Sequence, residues 1–221
     1  MHDALMHLRD KGVVPWSWIA DETRSLADYT GWRTIADWAA TMVRHTRLCP
    51  WRGRAPLVIT ESRSLSGVLR DLAREYAVKL APTNGQTGGF LRTDIGPELQ
   101  PADRVLYIGD FDWCGHQIEN NTRSVLERLV GGDLNWTRIA LTAGQVAQYD
   151  LADKQILKAD HRYKPVRHYP AVETEALKQH VVVRIIRDAL DAELPEPLTR
   201  VREREARERR RLAALLDGWG A

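Results

Sequence analysis

From Ala55 onward, short apolar runs alternate with stretches whose apolar residues recur at helical spacing, and this alternation narrows the fold more than any other feature. Leu57-Val58-Ile59-Thr60, Ala77-Val78-Lys79-Leu80, Val105-Leu106-Tyr107-Ile108 and Arg138-Ile139-Ala140-Leu141 read as four strands. The first has no polar alternation, the pattern of a parallel strand covered on both faces. After it, Leu65, Val68, Leu69, Leu72, Ala73 and Tyr76 mark one amphipathic helix. Ile118, Val125, Leu126 and Leu129 mark another after the third strand. Strands alternating with helices predict an α/β fold with a central parallel four-stranded sheet, flanking helices and right-handed crossovers.

The flanks read differently. Residues 1–54 form a mainly helical N-terminal segment, in which Ile35, Trp38, Ala39, Met42 and Val43 make one apolar face. Pro15 breaks the apolar stretch before it, and Cys49-Pro50-Trp51-Arg52-Gly53 punctuates its end. A helix is predicted from about Thr174 to Leu190, closed by Pro195 and Pro197. Seven arginines between Arg200 and Arg211 alternate with Glu203, Glu205 and Glu208, which predicts a charged, solvated C-terminal helix with a small apolar end. The expected organisation is therefore 1–54, 55–198 and 199–221.

Composition excludes several classes. The two cysteines, Cys49 and Cys114, lack metal-ligand spacing, so a disulfide scaffold or zinc module is not expected. No apolar run approaches the roughly 20 residues that span a bilayer, and the polar N-terminus has no signal-peptide core. The expectation is a cytoplasmic protein with no membrane partner. Lys+Arg total 32 against 30 Asp+Glu, which rules out a wholly basic nucleic-acid coat but permits a local basic face. His161, Arg162, Lys164, Arg167 and His168 form such a patch, able to neutralise DNA phosphates.

The chemistry gathers at strand ends. The third strand runs into Gly109-Asp110-Phe111-Asp112-Trp113-Cys114-Gly115, and an extended backbone would aim both aspartates to one side. Glu61 closes the first strand. Open parallel sheets bind ligands at the carboxyl ends of their strands, and neighbouring strands about 4.8 Å apart could gather all three carboxylates. Mg²⁺ takes one or two such carboxylates together with waters and phosphate. His116 reads as a surface or capping residue, and Gly85, Gly88 and Gly89 lack the Lys-Ser/Thr ending of a phosphate loop.

A glutamate after one strand and D-x-D-x-x-G after a later one resembles the Toprim domain of topoisomerases, primases and certain nucleases. The wider pattern, VITESRSLSGVL, YAVKLAPTNGQTGG, VLYIGDFDWCGHQIENN, RIALTAGQVAQYDL and VETEALKQHVV, is similar to the Toprim half of the type IIB topoisomerase A subunit. It also resembles the related meiotic break-forming family and small bacterial or phage proteins with this half alone. The resemblance covers roughly residues 55–190. It implies a Toprim fold and Mg²⁺, with Mn²⁺ as substitute, held by Asp110 and Asp112. It gives Glu61 the role of general acid or base or metal ligand. Gly115 lets the next helix start close to the site, and Glu173 matches an acidic residue near it. DNA is the implied partner, a homodimer the implied assembly, and a bacterial cytosol or phage-infected host the implied setting. The implied function is Mg²⁺-dependent cleavage of DNA phosphodiesters, by a nuclease or a topoisomerase-like phosphoryl transfer. The departure is the nucleophile. Relatives carry a tyrosine on an upstream winged helix, whereas Tyr29 matches no such motif and reads as a packing residue. The alternatives are a subunit whose winged-helix tyrosine comes from a missing domain or partner chain, and a non-catalytic scaffold binding DNA or protein.

Overall fold

The computed structural model describes residues 2–14, 29–83, 88–151 and 171–217, and the chain divides into two units, residues 1–31 and 32–221. In the first, α1 (His2–Asp10) is followed by Gly12, whose φ of +69° lies in the left-handed region that favours glycine. The amides of Lys11, Gly12 and Val13 close back on the carbonyls of His7, Arg9 and Leu8. Tyr29, expected to pack, is 94% exposed. The stretch around Pro15 lies outside the described residues.

The second unit begins with α2 (Ile35–His45), where Thr34 Oγ1 accepts the Asp37 amide at 3.0 Å as an N-cap. Then follow β1 (Leu57–Thr60), α3 (Arg63–Tyr76), β2 (Lys79–Pro82) and the short α4 (Gly88–Phe90). The last continues through a π-helical turn at Leu91–Ile95 and a 3₁₀ turn at Gly96–Glu98. Next come β3 (Arg104–Ile108), α5 (Trp113–Val130), β4 (Asn135–Ala140) and α6 (Ala143–Gln148). A 3₁₀ turn at Thr174–Ala176 leads into α7 (Gln179–Asp191), and α8 (Leu198–Asp217) follows. The strand order is β2-β1-β3-β4 with every pair parallel, compatible with a Rossmann-like arrangement. The expected four-stranded parallel sheet is present.

Period-two alternation sorts the side chains of β1 and β3 to opposite faces. Val58, Leu106 and Ile108 pack with Leu65, Leu69, Leu72 and Tyr76 of α3 and with Val182, Ile186 and Leu190 of α7. Leu57, Ile59, Val105 and Tyr107 pack with Leu91, Ile95 and Leu126 on the other face. All four residues of β1 are buried, as a strand covered on both sides requires.

Three boundaries differ from the sequence expectation, each for a local reason. Ala77 adopts the left-handed conformation (φ 51°) that ends α3, and Val78 donates to Ala73 O, so β2 starts at Lys79 instead of Ala77. β4 runs from Asn135 to Ala140 instead of Arg138 to Leu141; its first three residues, Asn135, Trp136 and Thr137, make no apolar run, and Trp136 carries a polar partner, Glu119. The helix expected from Thr174 breaks after one 3₁₀ turn, since the Thr174 amide and hydroxyl are engaged elsewhere; α7 proper starts at Gln179 and ends at Asp191, ahead of Pro195.

The tail helix α8 is charged as expected and packs along one side. Val201 is buried, Arg202 pairs with Glu75, and Glu205 accepts the Leu48 amide at 2.9 Å. Arg209 donates to the Thr46 carbonyl at the end of α2. α2 and α8 thus pack as a pair, with Trp38, Ala39, Met42, Val43, Leu212 and Leu216 lining a groove of about 270 Å³.

Candidate functional site

The strand order reverses between β1 and β3, because the chain winds outward to β2 on one side and to β4 on the other. Such a switch point opens a crevice at the carboxyl ends of the two strands. Glu61 follows β1 there, and its amide donates to Ile108 O at 2.9 Å, extending the ladder by one bond. Gly109 and Asp110 follow β3, with the Gly109 amide on Ala140 O at 2.8 Å.

The three carboxylates then take separate partners. Glu61 Oε2 accepts the Asp110 amide at 3.2 Å. Asp110 Oδ1 accepts both the amide and the hydroxyl of Thr174, each at 2.8 Å. Asp112 caps α5, its Oδ1 accepting the Gly115 amide at 2.7 Å. The two aspartates of the D-x-D pair are therefore anchored by different segments. A Cβ at Gly115 would stand 2.3 Å from Asp110 O, so glycine is what lets α5 begin against the acidic turn. Gly109 is equally constrained, since a Cβ there would lie 2.9 Å from Glu61 Oε2 and 2.6 Å from the Tyr107 ring.

Burial pushes the Glu61 carboxyl up to about 7, helped by the Asp110 and Asp112 charges and opposed by the Asp110 amide and Arg138. Burial also raises Asp110, against the two hydrogen bonds from Thr174. His116 is lowered, first by burial and then by the Arg138 charge. Crowded, partly buried carboxylates of this kind are relieved by a proton or a cation.

Among the described residues, no three His, Cys, Asp or Glu side chains converge as a ready-made metal cage. The donor chemistry still fits a hard divalent ion. Glu61, Asp110 and Asp112 each bond through one oxygen, and among the described residues the second oxygen of each has no hydrogen bond. Mg²⁺ needs only one or two such oxygens beside water and phosphate.

Glu173 is exposed at the head of the 3₁₀ turn, while Glu175, two residues on, accepts from Ser62 Oγ at 2.5 Å and Ser64 Oγ at 2.8 Å. Arg162, Lys164 and Arg167 lie outside the described residues. Sequence reasoning missed Thr174, Glu175, Glu119 and Arg138.

Comparison with protein-family models, curated proteins and solved structures finds no match. The case for a function rests on the site itself. Trp113, directly after Asp112, is half exposed.

Proposed function

We propose that this chain is a Toprim-type phosphoryl-transfer protein that uses Mg²⁺ to cleave DNA phosphodiesters. The observation carrying the proposal is the bond from the Asp110 amide to the Glu61 carboxylate across the switch point of β1 and β3, with Asp112 two residues further on. The motif resemblance over residues 55–190 supports the same reading.

Asp110 and Asp112 would hold the ion, with Glu61 beside it. An ion held there by Asp110 and Asp112 would supply Lewis acidity for a phosphoryl transfer. Glu61, raised to about 7, can hold or accept a proton near neutral pH, the condition for a general acid or base. Thr174 fixes the orientation of Asp110 through two bonds to Oδ1, which leaves Oδ2 as the oxygen that would take a ligand. Trp113 offers a flat surface on which a base can stack.

The test is plasmid nicking with Mg²⁺, Mn²⁺ or EDTA, beside the Asp110→Ala/Asp112→Ala variant. Metal-dependent nicking that disappears in the variant is the expected result, and nicking that persists in it refutes the reading. A second reading, a Toprim scaffold that binds DNA or protein without turnover, is favoured by the prior engagement of one oxygen on each carboxylate. Mg²⁺ binding by calorimetry without cleavage would select it.

A further inference from the structure

Arg138 sits on β4, facing Tyr107 of β3, at the point where the register slips and Ile139 is left over as a bulge. Bulges re-aim side chains and gather beside functional sites. Here the guanidinium runs beneath the acidic turn. Its Nη1 donates to Gly109 O at 2.9 Å, Asp110 O at 3.3 Å and Leu141 O at 2.9 Å, tying the exits of β3 and β4 together. Its Nε donates to Glu119 Oε2 at 2.6 Å, and the other Glu119 oxygen accepts Trp136 Nε1 at 2.9 Å. The guanidinium carbon lies 5.4 Å from the centre of the Tyr107 ring, which also packs on Trp136.

Both side chains of this ion pair are 11% exposed. Burying such a pair is costly and contributes little net stability, so its retention is not explained by stability alone. What it does specify is geometry. The two carbonyls it holds just after β3 belong to Gly109 and Asp110, the residues that set where the Asp110 carboxylate starts and where the chain turns toward Asp112.

We propose that Arg138, locked by Glu119, is a positioning residue for the acidic turn: it fixes the Gly109 and Asp110 carbonyls from below and thereby the separation of the Asp110 and Asp112 carboxylates. This rests on the metal-dependent reading of that turn. Arg138 touches no reacting atom and acts through the main chain. A lysine keeps the charge but cannot reproduce the rigid fork that spans two strand exits and Glu119 at once.

The experiment compares wild type with Arg138→Met, Arg138→Lys and Glu119→Gln in the full chain. It measures Mn²⁺ affinity by electron paramagnetic resonance without DNA, and steady-state nicking. Outer-shell partners of metal ligands typically contribute about 10- to 100-fold in affinity or activity. The expected result is a fall of that size in Mn²⁺ affinity and kcat for Arg138→Met, with KM for DNA unchanged and part of the loss recovered in Arg138→Lys. Glu119→Gln should follow in the same direction. Should Arg138→Met fail to fold, the Lys and Gln variants carry the comparison, each checked by thermal melting. Variants that fold and match wild type in Mn²⁺ affinity and kcat overturn the inference alone. A wild type that neither nicks nor binds Mn²⁺ overturns the functional reading, and this inference with it.

Discussion

The main-chain amide of Asp110 is bound by the side chain of Glu61, so the exits of two adjacent strands are joined by an ionisable group and not by the sheet ladder alone. Stability should therefore follow the state of Glu61. Its folded-state pKa of about 7 lies above the ordinary value of 4.5. The contribution of the protonated form is fully present below about pH 4.5 and is lost as pH rises through 7. Glu61→Gln keeps an acceptor without the charge. It should match wild type at pH 4 and exceed it at pH 8 by on the order of 2 kcal/mol, the full shift being discounted for partial solvent screening. Urea unfolding at the two pH values checks this, and a variant less stable than wild type at pH 8 would refute it. Nicking by the same variant should be lost.

Thr174→Val removes one of the two hydrogen bonds to Asp110 Oδ1 and keeps the amide bond. The side chain is fully buried, so the change should cost about 1 kcal/mol. Metal affinity should fall as well, because Asp110 loses half of its anchorage. Calorimetric Mg²⁺ titration beside a melting curve separates the two effects.

Gly115→Ala places a methyl group 2.3 Å from a backbone oxygen, where no side-chain rotation gives relief. α5 must retreat from the acidic turn. A loss of about 1–3 kcal/mol is expected, the range of overpacked sites, together with loss of metal-dependent activity. Gly53→Ala, with nothing within 4 Å of the added atom, is the matched control and should leave both unchanged.

Trp113→Ala tests the nucleic-acid side of the reading. Stacking of a base on an exposed aromatic contributes about 1–3 kcal/mol, so single-stranded DNA binding should weaken by at least several-fold. Fluorescence anisotropy with a labelled oligonucleotide measures it. Because Trp113 is half exposed, folding should be little affected.

The sheet was legible because its two central strands are nearly all apolar, and Leu57–Thr60 was found to the residue. That Glu61 and Asp110 stand at the exits of β1 and β3 was legible for a related reason, since polar residues that end a buried run stand out. The start of β4 and the support beneath the site were not. Arg138 and Glu119 look like surface residues in a sequence, and only the fold reveals that each is buried by the other. Thr174 carried no signal of its own; its task is defined by Asp110, 64 positions earlier. α6 had one that went unread, for Thr142 and Gln145 form a reciprocal capping box.

The segment after Ala171 meets β3's exit through paired bonds between Phe111 and Val172, holds Asp110 through Thr174, and reaches the first turn of α3 through Glu175. These anchors follow one another along a single short peptide, which makes its length a ruler. One residue inserted between Val172 and Glu175 would leave the sheet and both neighbouring helices intact. Placed before Thr174, it would nevertheless put two of the three anchors out of step, so the span from Val172 to Glu175 should not tolerate a change in length.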